Sequence, residues 1–466
     1  MAKGRSMSRI LIRISAADHA KLMRHLFPGD ALEHAAVMAA SAINHGDKRI
    51  LLVREVFLAK DGVDHLVGPA GKLVLAAPFV TEKADYCAEN GLVYLSVHNH
   101  AGTDQVSFSA TDIRAHEQLY PTLLQITNQP VGGLVFAKAA VAGDIWSPAE
   151  PRVPLTSYVV ASLARTELRG SPRRAAGVDS TRHRQVLFLG ERGQALLREL
   201  KVGVIGAGGA GSIIVELLAR LGVGNVVVVD PDRIEESNFS RVLGSRKRDY
   251  RPFFWSKPAR KVDISKRAYI NANPRGAIEC IYDDFRRPSV VARFIDCDYL
   301  VLAADPPSVK LLFNQICFQY LIPGVAVGAR VLVERNSGDV SQATSSVRLV
   351  GPGSACLWCN GFITPGMLAE EAAAPQQRNA QRYIDDRDVH APSVVTLNAQ
   401  AASHAMNLLL FGMTGIGQPP NHAFTVFDAL DSSVKEMRAT PSRLNCPNCM
   451  GRHSRGSSIP LTTIAR

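Results

Sequence analysis

No stretch of this chain approaches the ~20 uninterrupted apolar residues that a bilayer-spanning helix needs. The basic N-terminus, Met1 to Lys21, is interrupted by charges and has no apolar h-region, which argues against a secretory leader. No internal repeat is visible. The basic runs Arg169–Arg174 and Arg246–Arg248 are short and come with no nucleic-acid-binding motif. Nucleic acid is therefore not an expected partner. The net charge of +11 reads as a basic surface for an acidic protein partner or as ordinary solvated surface. What remains is a cytoplasmic chain whose 466 residues and 46% apolar content fit two or three ordinary domains.

The most informative segment begins Gly203-Val-Ile-Gly206-Ala-Gly208-Gly209-Ala-Gly211. It reads as a strand, a glycine turn and the opening of a helix. The glycines let the backbone approach a phosphate, and the helix N-terminus faces it with its positive dipole. Val226 to Val229 form a second buried strand, and Asp230 ends it where an acid meets a ribose hydroxyl. Alone, this signature describes any dinucleotide site, an NAD-dependent dehydrogenase first. Asn238 and Arg241 change the reading. They sit past the strand, where a triphosphate would project, and a hydride transfer needs neither. A nucleotidyl transfer does, because charge builds on the departing pyrophosphate. Lys261 opens an amphipathic helix that ends at Asn273-Pro274. Tyr299–Asp305 is a later buried strand that delivers a carboxylate to the sheet's C-terminal edge, a place for Mg²⁺ or phosphate.

The eight cysteines divide cleanly. Cys356-Leu-Trp-Cys359 and Cys446-Pro-Asn-Cys449 can each hand two thiolates to one tetrahedral, structural zinc. Cys87, Cys280, Cys297 and Cys317 lie in or beside apolar runs and read as buried, inert thiols.

Over residues 180–450 these ordered motifs resemble the ubiquitin-activating-enzyme-like adenylyltransferases of ThiF and MoeB type. They include Arg184-Gln185, the glycine turn, Asp230, Asp232, Ser237-Asn238-x-x-Arg241, Lys261, Asp305 and the two cysteine pairs. The resemblance implies that Asp230, supported by Asp232, binds the ribose. It implies that Asn238, Arg241 and Lys261 handle the phosphates, with Lys257 and Arg260 close by. Asp305 would handle Mg²⁺-ATP, and Arg184 would reach the ATP of the second subunit of a homodimer. Relatives that move their cargo onto a thioester need a nucleophilic cysteine. The usual segment, Asn360 to Asn445, contains none. Adenylation is then the endpoint on this chain, or Cys317 or another thiol serves.

The N-terminal third reads differently. A strand at Arg9–Ile14 precedes a helix from Ser15 to Leu26. Strands are expected around 33–43, 50–58, 65–79 and 93–97. The last delivers His98-Asn-His100, and Ser109 caps a helix that begins at Asp112. Histidines at i and i+2 share one strand face. With Asp112 they form a three-ligand zinc site with room for a water. Residues 8–150 thereby resemble the JAMM (JAB/MPN) metalloproteases. In that resemblance His98, His100 and Asp112 bind zinc, Glu33 is the general base, with Glu55 as the alternative, and Ser109 helps stabilise the oxyanion. Ala101 replaces the usual proline, and the step from His100 to Ser109 is one residue longer than the family's.

The expected fold is α/β: a JAMM-like α+β domain over 1–150, then a Rossmann-like ThiF-type domain over 181–450 with a mixed, mostly parallel sheet. Between them, 151–180 reads as a linker around a helix from Ser157 to Glu167. Residues 367–388 read as a mobile crossover over the nucleotide, and 451–466 as a frayed tail. The expected activity is ATP- and Mg²⁺-dependent adenylation of a ubiquitin-like or sulfur-carrier protein ending in Gly-Gly. A fused zinc isopeptidase would trim or deconjugate it, and a conjugating enzyme or sulfur donor would take the adenylate. The alternatives are a non-catalytic scaffold for such a partner and a dehydrogenase.

Overall fold

The computed structural model describes residues 9–30, 32–67, 73–150, 152–163, 165–171, 180–251, 256–334, 337–373, 392–416, 422–438, 445–451, 453–457 and 459–464. The chain divides into two compact units. One is built on Met1–Arg174 and the other on Ala175–Phe318 and Ile322–Arg452, with short tail segments assigned to each.

In the first unit, β1 (Arg9–Ser15) leads into α1 (Ala16–Leu26), whose first turn is capped by the Ser15 hydroxyl accepting from Asp18 N. Strands β2 (Ala35–His45) and β3 (Lys48–Leu58) follow, then the short pair β4 (His65–Val67) and β5 (Leu73–Leu75). Next come α2 (Ala77–Asn90), β6 (Val93–Asn99), α3 (Ala110–Thr127), β7 (Val131–Phe136), β8 (Val141–Trp146), β9 (Val153–Ala161) and β10 (Arg165–Leu168). The sheet runs β1-β3-β2-β6-β7-β8-β9-β10, and β9 also pairs with β1 in parallel. That pairing closes seven strands into a barrel. One strand face, with Ile10, Met38, Leu95 and Phe136, packs with Leu22 and Leu26 of α1. The other, with Val37 and Tyr94, packs under Phe79 and Cys87 of α2 and Tyr120 of α3.

Three expectations are corrected here. The strand expected over 65–79 is two three-residue strands followed by α2, because Pro78 stands in its first turn, where the fixed proline φ suits a helix start. The helix expected from Ser157 to Glu167 is β9 and β10, so the first part of the supposed linker is strand, with β9 in the barrel wall. Its Val-Val-Ala-Ser-Leu-Ala run is neutral in propensity, and pairing with β1 decides the outcome. The part of the linker at 172–179 lies outside the described residues.

The second unit begins with α4 (His183–Glu199), which kinks at Gly190, where φ is 70°. It continues through β11 (Lys201–Ile205), α5 (Gly209–Leu221), β12 (Asn225–Val229), α6 (Lys247–Tyr250), α7 (Lys261–Ala272), β13 (Ala277–Ile281), α8 (Pro288–Val291) and β14 (Tyr299–Leu302). Then come α9 (Pro307–Gln319), β15 (Gly324–Val333), β16 (Val340–Val350), α10 (Pro365–Ala372), α11 (Val395–Thr414), β17 (His422–Asp428) and β18 (Ser433–Arg438). The strand order β13-β12-β11-β14-β15-β16-β17-β18 is parallel from β13 to β15 and antiparallel beyond. Val202, Val204, Val226 and Val228 pack against Ile214 and Leu218 of α5 and Ala401, Ala405 and Leu409 of α11.

After β11 the chain winds outward through β12 to β13. After β14 it winds the other way. The crevice at the C-terminal ends of β11 and β14 is therefore the topological switch point where such sheets bind ligands. The expected fraying of the tail is not seen within this unit. Thr462 Oγ1 accepts from Gln315 Nε2 at 2.9 Å, and Ile464 N donates to Arg286 O at 3.1 Å. Of the expected crossover at 367–388, the residues from 374 on lie outside those described.

Candidate active site and metal centres

A cleft of about 470 Å³ opens at the switch point. Gly206, Gly208 and Gly209 form its floor. Gly206 has φ +97°, and a Cβ there would stand 2.5 Å from Ala303 O, so the turn requires glycine. Gly208 faces open space and begins α5 without any side-chain cap, leaving the helix's first N–H groups available to an anion. Gly211 does not line the cleft. A Cβ on it would stand 2.0 Å from Gly206 O, so it sets how tightly α5 lies on the turn.

Asp230 is buried at the end of β12. Its carboxylate accepts from Ala207 N at 2.7 Å and Asp232 N at 2.8 Å. Burial pushes its pKa up, against those two hydrogen bonds. The group thus ties the glycine turn to the strand end and retains lone pairs for a sugar hydroxyl. Asp232 holds Lys261 Nζ at 2.7 Å, and Lys261 N donates to Asp232 O. Lys261 lines the cleft, while Lys257 and Arg260 do not. Asn238 is buried, and its carbonyl receives Arg241 N at 3.1 Å. Both reach the cleft, and Arg241 has no ion-pair partner among the described residues. Asp305 enters from the far wall, just past β14.

Arg184 is elsewhere: it is exposed on α4 and absent from this cleft. Two residues before it, Arg182 donates to Asn273 Oδ1 at 3.0 Å within the same chain.

The cleft also holds residues that the motifs did not single out. Asp284 and Arg286 follow β13 and pair through three side-chain contacts, Nε to Oδ1 at 3.0 Å and to Oδ2 at 3.2 Å, and Nη2 to Oδ2 at 2.6 Å. Arg286 also reaches Ser308 Oγ and Glu371. Asn398 of α11 leans over Gly209. Asp284 and Arg286 sit at the C-terminal end of a parallel strand, so the rule that found Asp230 and Asp305 would also have found them.

The four thiols of Cys356, Cys359, Cys446 and Cys449 are buried together. Cys356 Sγ lies 3.6 Å from Cys446 Sγ, and Cys359 Sγ lies 3.8 Å from Cys449 Sγ. Thiolates about 2.3 Å from a tetrahedral zinc stand about 3.8 Å apart. The donors therefore fit zinc and are too far apart for disulfides. Cys87, Cys297 and Cys317 are buried and Cys280 is half-buried. Burial pushes Cys87 and Cys280 up to about 12 and Cys317 well above its ordinary value.

In the first unit, His98, His100 and Asp112 converge. The Nε2 atoms of His98 and His100 are 3.2 Å apart, and Asp112 oxygens lie 3.5 Å and 3.4 Å from them. Nitrogen and oxygen ligands about 2.0–2.1 Å from a tetrahedral metal stand about 3.3 Å apart. The two Asp112 distances run to different oxygens, Oδ1 toward His98 and Oδ2 toward His100, and one donor from each residue lies within 4.8 Å of the others, so the set could hold a zinc ion. Glu33 comes within 3.7 Å of His100 Nε2, whereas Glu55 is exposed on β3 opposite Ala39. Ser109 caps α3 by accepting from Asp112 N at 3.2 Å, while its own N–H donates to Asp112 Oδ2 at 2.7 Å. Hydrogen bonding to Asp112 pushes the His100 pKa up. Burial works against the Asp112 carboxylate, yet His100, His98 and Ser109 together hold its pKa far below the usual range.

Residues 181–448 match the model of the ThiF family. An adenylyltransferase and sulfurtransferase uba4 of Aspergillus niger is 26% identical over 59% of this chain and 52% of its own length. The molybdopterin-synthase adenylyltransferase of Escherichia coli is 25% identical over 55% of this chain and 90% of its own. The sulfur carrier protein ThiS adenylyltransferase of Bacillus subtilis is 30% identical over 31% and 44%. The chain thus spans only about half the length of the first and third.

Proposed function

The chain belongs to the ThiF family, and on that premise we propose that it adenylates the C-terminal glycine of a ubiquitin-like or sulfur-carrier protein ending in Gly-Gly. One observation carries this reading. The glycine turn, Asp230, Asn238, Arg241, Lys261 and Asp305, spread over a hundred residues, line one cleft at the switch point. The carrier's terminal carboxylate attacks the α-phosphorus of ATP. The bond to the bridging oxygen breaks, and pyrophosphate leaves with its electrons. The free N–H groups of α5 and the Arg241 and Lys261 cations offset the charge that develops on it. Asp230 holds the ribose end, and Asp305 would hold Mg²⁺. Arg184, outside its own cleft, serves the cleft of a second subunit in a homodimer.

The buried thiols and the cysteine-free stretch after Cys359 support handing the adenylate to a thiol or sulfur donor on another protein. No helix among the described residues is long and apolar enough to cross a membrane. ATP–pyrophosphate exchange that depends on Mg²⁺ and on a small protein ending in Gly-Gly tests the assignment.

The N-terminal unit supports a second activity, cleavage after that same Gly-Gly by a JAMM-type zinc peptidase. His98, His100 and Asp112 would hold the ion, which when bound makes its water acidic near neutral pH. Glu33 beside His100 takes and returns the proton. The Ser109 hydroxyl spends one lone pair on Asp112 N and keeps its O–H to donate to the oxyanion. The two units would then work on one substrate end, one exposing the carboxylate and the other activating it. Release of the residues beyond Gly-Gly from a tailed carrier, dependent on zinc, tests this part.

A further inference from the structure

Just before β2, next to Glu33, the chain turns His34 to a second cluster that the motifs did not predict. His34 and His65 are buried, with side chains 3% and 8% exposed, while Asp61 is 60% exposed. Asp61 Oδ1 lies 3.3 Å from His34 Nδ1 and 3.0 Å from His65 Nε2. The three donor atoms are all within 4.8 Å of one another. The other His34 nitrogen, Nε2, faces Asp30 Oδ1 at 3.0 Å.

Both ring nitrogens of His34 therefore point at carboxylate oxygens. A neutral imidazole has one N–H and can satisfy only one of them. If Nε2–H donates to Asp30, the Nδ1 lone pair faces the Asp61 carboxylate, and the two repel. A cation must lie between them, either a second proton on a buried ring or a metal ion. Three features favour the metal. The His65 imidazole converges on the same oxygen, making two nitrogens and one carboxylate around one point. The separations of 3.0 and 3.3 Å are close to the about 3.3 Å between ligands of a tetrahedral ion. Asp30 on the far nitrogen is the outer carboxylate that a metal-bound histidine usually engages. The exposure of Asp61 leaves the fourth position to water.

We propose that His34, Asp61 and His65 bind a divalent transition-metal ion, separate from the one at His98, His100 and Asp112. The set of two imidazoles and a carboxylate suits zinc and its neighbours rather than calcium or magnesium. The ion joins the turn at Lys60–His65 to the segment Leu32–His34. Asn99 already fastens that segment to β6, accepting from His34 N at 2.6 Å and donating to Leu32 O at 3.3 Å.

The test counts zinc in the full-length chain after zinc supplementation and removal of loose metal. Asp61→Asn and His65→Gln should each hold one zinc fewer than the wild type. His100→Ala should also lose one, and Asp61→Asn with His100→Ala should lose two. The zinc that Asp61→Asn retains through His100 shows that the unit is still folded. The proposal does not rest on the peptidase reading, because the Asp61-dependent ion stays in His100→Ala. It is overturned if Asp61→Asn and His65→Gln bind as much zinc as the wild type. Should Asp61→Asn keep no ion in the unit, zinc titration of the metal-stripped His100→Ala chain decides: saturation at two ions, one beyond the four cysteines, supports the site, and at one overturns it.

Discussion

Lys261 Nζ lies 2.7 Å from Asp232 Oδ2, so the lysine reaches the nucleotide cleft already paired with a carboxylate of the neighbouring strand end. Asp232 is well exposed, so the pair adds little to stability. Its effect is to fix where the ammonium stands. Arg241 has no such partner among the described residues, which leaves its charge fully available to an anion.

Replacing these groups should separate them. Asp305→Ala should abolish carrier-dependent pyrophosphate exchange. Arg241→Ala and Lys261→Ala should each lower it by about 10²–10³, the size of a lost transition-state charge contact. Asp232→Asn should cost less, since it frees the lysine without removing it. Unchanged exchange in Asp305→Ala would sink the assignment.

Arg184 lies outside its own cleft, and this can be tested by mixing. Arg184→Ala and Asp305→Ala chains should each be inactive alone. Heterodimers of the two should recover part of the activity, because one complete composite site forms. Heterodimers that are shown to be present yet stay inactive would rule out a role across the dimer.

The glycine turn gives a contrast within five residues. Gly211→Ala pushes a methyl onto the Gly206 carbonyl, and neither backbone can yield easily. It should lower the thermal midpoint by the equivalent of about 1–3 kcal/mol or more. Gly208→Ala meets no protein atom within 4 Å. It should leave the midpoint in place and weaken ATP binding, measured by calorimetry. Equal midpoints for the two variants would mean that Gly211 packs less tightly than described.

Loss of the two predicted zinc sites should have different consequences. Cys356→Ser should unfold the C-terminal unit at a lower temperature, since a structural zinc contributes directly to folding. His100→Ala should leave pyrophosphate exchange intact and stop cleavage after Gly-Gly. Glu33→Gln should keep the zinc and lose the cleavage. If Glu55→Gln silences cleavage and Glu33→Gln does not, the base has been placed on the wrong segment.

Contiguous chemistry was readable in advance. The glycine turn, Asp230 and Asn238–Arg241 lie within one strand–helix–strand stretch, where spacing alone fixes their positions. His98, His100 and Ser109 were readable for the same reason. What failed depends on distant partners. Val153–Ala161 carries Val, Thr and Tyr that suit a strand, but its strand identity is fixed by pairing, with β8 and β10 beside it and with β1 far back in the chain. His34 and His65 carried no signal because their meeting depends on how the turn at Lys60–His65 folds back. The sequence points to Glu33 as the base, with Glu55 as the alternative, and the folded chain brings Glu33 within 3.7 Å of His100.

Barrel closure also constrains how the N-terminal unit can be made. β1, Arg9–Ser15, pairs in parallel with β9, which is synthesised more than a hundred residues after it. Until then β1 has one unfilled edge, a template for pairing with the wrong chain. A fragment cut at residue 150, where composition suggests a boundary, would keep that edge open permanently and should aggregate. One that runs past Leu168 would carry its own seal.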